Sequence, residues 1–301
     1  MAETRINMPY TLEDIRTCKD ITLDLVRRDY HNLCVFDAIR NTKKQCGNKI
    51  LYQYQYGELI KCSRENWHSL IHVMNDPVLR QKLWEETVKR NRRDKDPTCS
   101  ATDCFECWRI NRGSIVFFKS STAKYLYRRF NATSVLDPCA GWGGRMLGAM
   151  ALGIRYTGID TNINLKEGYD RMRQDLLGSW LPGWHNQYKM IWDSCLNVNY
   201  NELDYDFILT SPPYINMEVY ENMPPFESDI IFYRVFLIPM MNRSFEGLSV
   251  GGHMCINISP KMVKCLMRLG YRPPDSQVDL RQQMGKNYAT KSQDYIYVWN
   301  K

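Results

Sequence analysis

Three short apolar runs in this chain each end at an aspartate: residues 133–136 at Asp137, 155–159 at Asp160 and 188–192 at Asp193. A fourth run, 205–209, leads into Thr210-Ser211-Pro212-Pro213-Tyr214. Such runs read as buried strands, and four in succession constrain the chain to an α/β fold. Ligands of such folds lie beyond the carboxyl ends of the strands, so the three acids and Ser-Pro-Pro-Tyr are expected to share one crevice. The first run enters Pro138-Cys139-Ala140-Gly141-Trp142-Gly143-Gly144-Arg145, followed by a helical stretch over 146–152. The glycines permit positive φ and close approach of a ligand to the backbone, and the helix start offers free N–H groups to an anion. Singly, these signals have ordinary readings. Each aspartate also suits a helix N-cap, and dinucleotide folds use a glycine-rich turn too, although their third-glycine spacing is absent here.

Two consecutive prolines donate no ladder hydrogen bonds and end the fourth strand abruptly. They leave at its tip the Ser211 hydroxyl, the Pro212 carbonyl and the Tyr214 ring. An exocyclic amine on cytosine or adenine is a poor nucleophile, because its lone pair is delocalised into the ring. Acceptors at Ser211 Oγ and the Pro212 carbonyl would draw its hydrogens out of plane and localise that pair, with Tyr214 stacked on the base. The competing reading is a rigid turn after a core strand, since proline pairs punctuate turns. Asp160, 23 residues after Asp137, is placed for ribose hydroxyls, and Asp193 for an adenine amine.

On these residues the chain resembles the S-adenosylmethionine-dependent amino-methyltransferases that act on DNA bases, of a phage- or virus-like kind. Asp137-Pro138-Cys139-Ala140-Gly141-Trp142-Gly143 matches the family's cofactor motif, and Ser211-Pro212-Pro213-Tyr214 its catalytic Asp/Asn/Ser-Pro-Pro-Tyr/Phe motif. The resemblance covers about residues 112–301. It implies an α/β, Rossmann-like class I methyltransferase fold with a mostly parallel seven-stranded sheet. The catalytic domain is expected over 113–301, with strands at 254–258 and 294–299, after a largely helical accessory region over 1–112. The implied cofactor is S-adenosylmethionine, held by Lys119, Ser120, Asp137, Cys139, Ala140, Gly141, Gly143, Asp160 and Asp193, with 114–122 covering its methionine end. The implied partner is DNA, its base flipped or in a single strand, and the expected reaction is methylation of cytosine N4, with adenine N6 as the rival. Methylation of an RNA base and a catalytically silent partner subunit stay open. Cys139 stands where the family commonly has Phe, so packing beside the cofactor is expected from Trp142. No long insertion follows Tyr214, so a separate target-recognition domain is missing or small. Residues 215–228 are expected as a lid or groove wall, with Asn216 and Glu218 reading the base edge.

Composition agrees. A hydrophobic content of 44% in 301 residues supports a large α/β domain plus an accessory region. No apolar run approaches a membrane span, and Met-Ala-Glu-Thr-Arg lacks the apolar stretch of a secretory signal. A cytoplasmic or other intracellular placement is expected, the nucleus or a viral replication site included. The net charge of +7 is compatible with a polyanionic partner. Basic runs at 89–93 and 125–129 suit either phosphate contacts or solvated helix ends. Of the eleven cysteines, Cys99, Cys104 and Cys107 are spaced as partial zinc ligands or as ordinary thiols, the latter preferred; no metal is assigned. In the N-terminal region Asp76-Pro77 reads as a helix start, with Val78, Leu79, Leu83, Trp84 and Val88 on one face. Tyr52, Tyr54 and Tyr56 alternate as in a strand, serving packing or base stacking. This region is expected to cap the crevice and supply DNA contacts.

Overall fold

The structure is a computed structural model of the chain and describes residues 8–37, 46–63, 68–93, 98–111, 117–178, 183–213, 226–280 and 295–301. Seven strands form one sheet: β1 Ser134–Asp137, β2 Arg155–Ile159, β3 Tyr188–Ile191, β4 Phe207–Thr210, β5 His253–Ile258, β6 Ser276–Asp279 and β7 Tyr295–Asn300. Their order is β3-β2-β1-β4-β5-β7-β6. All pairings are parallel except those of β7, which runs antiparallel to β5 and β6. This is the mostly parallel seven-stranded sheet expected from the sequence. From β1 the chain winds outward to β2 and β3, then returns to β4 on the other side of β1. That reversal opens a crevice at the carboxyl ends of β1 and β4. Both strands are buried along their whole length, as their unbroken apolar runs require.

Period-two alternation divides the core between the two faces of the sheet. Val135, Phe207, Leu209 and Cys255 face one side, and Leu136, Ile208, Met254 and Ile256 the other. The second face is covered by α11 Asp229–Phe232, α12 Ile238–Gly247 and α13 Pro260–Arg268, with a π-helical turn at Tyr233–Leu237 joining the first two. The first face carries α7 Ser120–Arg129, α8 Gly144–Met150 and α9 Lys166–Leu177, while α10 Trp184–Gln187 leads into β3.

The N-terminal region is helical as expected: α1 Leu12–Thr17, α2 Leu23–Val35, α3 Asn48–Leu59, α4 Leu70–Asn75, α5 Pro77–Arg93 and α6 Ala101–Asn111. Its apolar side chains belong to the same core cluster as the first face of the sheet, with α2 and α3 packed on α9. The Lys124 ammonium, buried on α7, donates to the carbonyls of Leu33 (2.6 Å), Cys34 (2.7 Å) and Phe36 (2.9 Å). It thereby satisfies the orphan carbonyls at the end of α2 and ties that helix to α7.

Two expectations need adjustment here. Tyr52, Tyr54 and Tyr56 lie in a helix, not a strand: Tyr52 and Tyr56 are one turn apart and meet edge-on at 6.3 Å, while the Tyr54 hydroxyl reaches Asp175 at 2.8 Å. Three residues at period two cannot separate the two structures, and helix packing decides. Asp76 does cap α5, accepting from Val78 N and Leu79 N at 2.8 and 2.9 Å, but Val78 is 76% exposed and lies off the buried face. Cys104 and Cys107 are core residues of α6, and burial pushes the Cys104 thiol up to about 12. Among the described residues no group of three metal-binding side chains occurs, no cysteine is in a disulfide, and no helix is long and apolar enough to cross a membrane.

Candidate active site

The turn after β1 is held from three directions. Ala140 N donates to the Ile159 carbonyl of β2 at 2.9 Å, and Gly141 N to Asp160 Oδ2 at 2.7 Å. Cys139 N donates to Thr210 Oγ1, at the end of β4, at 3.1 Å. From α9 the Tyr169 hydroxyl donates to the Gly141 carbonyl at 2.9 Å. Gly143 has φ +88° and begins α8; a Cβ there would be strained and would meet the Tyr169 ring at 3.3 Å. A Cβ on Gly144 would sit 1.9 Å from the Phe118 carbonyl oxygen, so the 117–119 segment lies directly over the start of α8. Trp142, expected beside the cofactor, is buried with its ring 5.8 Å from that of Phe117, which in turn is 4.9 Å from Tyr52.

Asp137 is fully buried. Its Oδ2 accepts from Arg145 Nε at 2.6 Å and from the Tyr156 hydroxyl at 2.7 Å. Arg145 also donates to the Cys139 carbonyl, and Asp137 holds its guanidinium firmly charged against the penalty of burial. Among the described residues Asp137 Oδ1 is buried with no hydrogen-bond partner.

Asp160 closes the end of β2, accepting from Gly141 N on one oxygen and from Asn162 N at 2.9 Å on the other. Burial raises its pKa above the usual carboxylate value, and the two backbone bonds oppose that shift. Asp193 is exposed beyond β3 and shapes a local turn, its Oδ1 accepting from Ser194 N and Asn197 Nδ2. Neither acid is a plain helix cap. The bond from Asp160 N to the Ile191 carbonyl, 3.1 Å, carries the same rim across to β3.

Lys119 and Ser120 open α7. Among the described residues Lys119 Nζ is buried without a partner, and burial lowers its pKa. Ser120 Oγ is also buried and unpaired among the described residues, but it lies 3.1 Å from where a Cβ on Gly47 would stand, beside Leu147. That places Ser120 in the junction of helices rather than at the end of a strand. The neighbouring Cys195 thiol and burial push the pKa of the Cys139 thiol well above the ordinary value. It is therefore a neutral packing group and not a nucleophile.

Ser211 and Pro213 are half-buried at the end of β4, and Pro212 is buried. Ser211 Oγ lies 3.5 Å from Asn257 Oδ1 on β5. Tyr214, Asn216 and Glu218 fall outside the described residues. The structure thus gathers Asp137, Cys139, Ala140, Gly141, Gly143, Asp160 and Ser211 at one rim, with Asp193 farther along it. Sequence reasoning missed Thr210, Arg145, Tyr156, Tyr169 and Asn257. Only Asn257 carried a usable signal, as the lone amide in the otherwise apolar run 254–258.

For S-adenosylmethionine, the cofactor expected from the sequence, the polar groups present are of the right kind. Asp137 Oδ1 and Lys119 Nζ, both buried without a partner among the described residues, are a carboxyl and an amine, the groups that complement an ammonium and a carboxylate.

No family model and no curated protein matches the sequence. Among solved structures, TrmN from Thermus thermophilus is similar over 61% of this chain and 49% of its own length, at 14% identity and TM-score 0.39. The chain thus spans about half of that protein. An rRNA methylase from Streptococcus thermophilus is similar over 59% of this chain and 95% of its own, at 12% identity and TM-score 0.40. The glycopeptide N-methyltransferase MtfA is similar over 60% and 96%, at 13% identity and TM-score 0.43. Likeness at this level carries no residue role from those proteins to this chain.

Proposed function

We propose that the chain is an S-adenosylmethionine-dependent methyltransferase that acts on the exocyclic amine of a nucleic-acid base, with cytosine N4 of DNA as the first assignment. The observation that carries this reading is the bond from Cys139 N to Thr210 Oγ1. It fastens the glycine-rich turn to the strand end that bears Ser211 and Pro212, so a ligand on that turn and an amine on Ser211 would be neighbours. Asp137 and Lys119 would receive the amino-acid end of the cofactor, and the free lone pairs of Asp160 the ribose. The cofactor would supply a methyl group on a sulfonium, an electrophile that needs no further activation. Ser211 Oγ and the Pro212 carbonyl would accept the two hydrogens of the amine, localise its lone pair and aim it. Neither is a strong base, so they stabilise positive charge as it builds on nitrogen and the proton departs late. No thiol is required. A paired base must leave its duplex, or be offered single-stranded, to reach this strand end.

Ser211→Ala tests the assignment. The expected result is a kcat lower by about 10–1000-fold with cofactor affinity unchanged, as when an interaction made in the transition state is removed. A variant with full activity would overturn the role of Ser211. The same assay on DNA and on folded RNA decides the polymer.

A further inference from the structure

Asn257 stands beside Ser211 for a structural reason. Thr210 of β4 pairs in register with Ile256 of β5, so the next residue of each strand, Ser211 and Asn257, meet at the sheet end. Asn257 is half-buried between Ile256 and Ile258, both of which point into the core. Its Nδ2 donates to the Tyr295 carbonyl of β7 at 3.2 Å. A carbonyl can only accept, so that bond fixes which end of the amide faces β7 and leaves Oδ1 toward Ser211. A hydroxyl has one hydrogen and two acceptor lone pairs. Asn257 Oδ1 lies 3.5 Å away, longer than an ordinary O–H···O bond, and is an acceptor toward which that hydrogen can turn, away from the substrate.

We infer that Asn257 is a positioning residue that holds the Ser211 hydroxyl as an acceptor toward the target amine. This rests on the reading of Ser211 given above. Without that restraint the hydroxyl rotates freely, and in part of its orientations its hydrogen meets the hydrogens of the amine. The 3.5 Å contact is expected to shorten when the base is seated, as catalytic hydrogen bonds do on substrate binding. Tyr295 thereby joins the site through its backbone, and the antiparallel β7 acquires a role in orienting a group on parallel β4.

The test compares Asn257→Leu, Asn257→Asp and the double variant Ser211→Ala/Asn257→Leu in steady-state methyl transfer, with S-adenosylmethionine affinity measured by calorimetry. Asn257→Leu is expected to lower kcat by about 10–100-fold with cofactor affinity held within about twofold. Asn257→Asp keeps an acceptor for Ser211 but loses the donor to the Tyr295 carbonyl, so it is expected to lose less kcat than Asn257→Leu without matching the wild type. In the Ser211→Ala background, Asn257→Leu is expected to cost nothing further, because the group it positions is gone. Wild-type kcat in Asn257→Leu, a loss in Asn257→Asp equal to that in Asn257→Leu, or additive losses in the double variant would each overturn the inference. Loss of cofactor affinity along with kcat would also overturn it, by showing a merely structural role. Should Asn257→Leu not fold, Asn257→Ala takes its place: a loss of kcat at unchanged cofactor affinity supports the inference and wild-type kcat refutes it. A folded wild type that binds S-adenosylmethionine yet methylates no nucleic acid would instead overturn the reading of Ser211, and this inference with it.

Discussion

Asp160→Asn separates the bracing role of this acid from mere polarity. Both carboxylate oxygens are in use, one accepting from Gly141 N at 2.7 Å and the other from Asn162 N at 2.9 Å. An amide has a single acceptor oxygen, so one bond survives and the other N–H is left facing an NH2 group. A backbone bond to a charged acceptor contributes about 1.5–3 kcal/mol, and an orphaned buried donor costs a similar amount. Relief of the carboxylate's own burial, which raises its pKa, offsets part of that loss. The expected net destabilisation is about 2 kcal/mol, a drop in melting temperature of about 5 °C for a chain of this size. Either Gly141 or Asn162 then loses its tether and one acceptor for the ribose is gone, so calorimetric affinity for S-adenosylmethionine is expected to fall about tenfold or more. A variant that melts with the wild type and binds the cofactor as tightly would refute both the bracing and the ribose assignment.

Further outcomes follow from other buried groups. Lys124→Met strips the donor from the carbonyls of Leu33, Cys34 and Phe36, and chemical denaturation should show a loss of about 3 kcal/mol. Gly144→Ala drives a Cβ into the Phe118 carbonyl and should displace the 117–119 segment; an unchanged melting temperature would contradict that contact. Burial holds the phenols of Tyr127, Tyr156 and Tyr169 protonated well above their ordinary value of 10. Above about pH 10 the unfolded chain releases protons that the folded chain keeps, so stability is full below that pH and is lost as pH rises beyond it. Denaturation midpoints measured from pH 8 to pH 11 check this, and a rise in stability across that range would contradict it.

The strand ends were legible because their chemistry is local. Each apolar run carries its own terminator, an aspartate or a proline pair, and the crevice follows from the topology those runs imply. The groups that hold the crevice were not legible, because their partners are distant in sequence. Tyr169 reaches Gly141 across 28 residues and Thr210 reaches Cys139 across 71, and nothing in either neighbourhood names the other. Asp160 illustrates both cases: its place at a strand end was readable, its grip on the glycine turn was not. Periodicity also failed over Tyr52, Tyr54 and Tyr56, where three residues are too few to tell a strand from a helix. In the N-terminal region the pattern gave the face of one helix, Val78 apart, but neither the faces of the others nor the partners of any. That those faces join the core of the sheet, with Lys124 fastening α2 to α7, appears only in three dimensions.

The central claim is that Ser211-Pro212 presents a base amine to the methyl group of S-adenosylmethionine. Transfer of tritiated methyl from the cofactor to DNA and RNA, followed by mass spectrometry of the released nucleosides, tests it most directly. The expected product is N4-methylcytosine in DNA, and N6-methyladenine or a methylated RNA amine would keep the chemistry while moving the substrate. C5-methylcytosine, or no transfer to any nucleic acid by folded protein that binds the cofactor, would contradict the account.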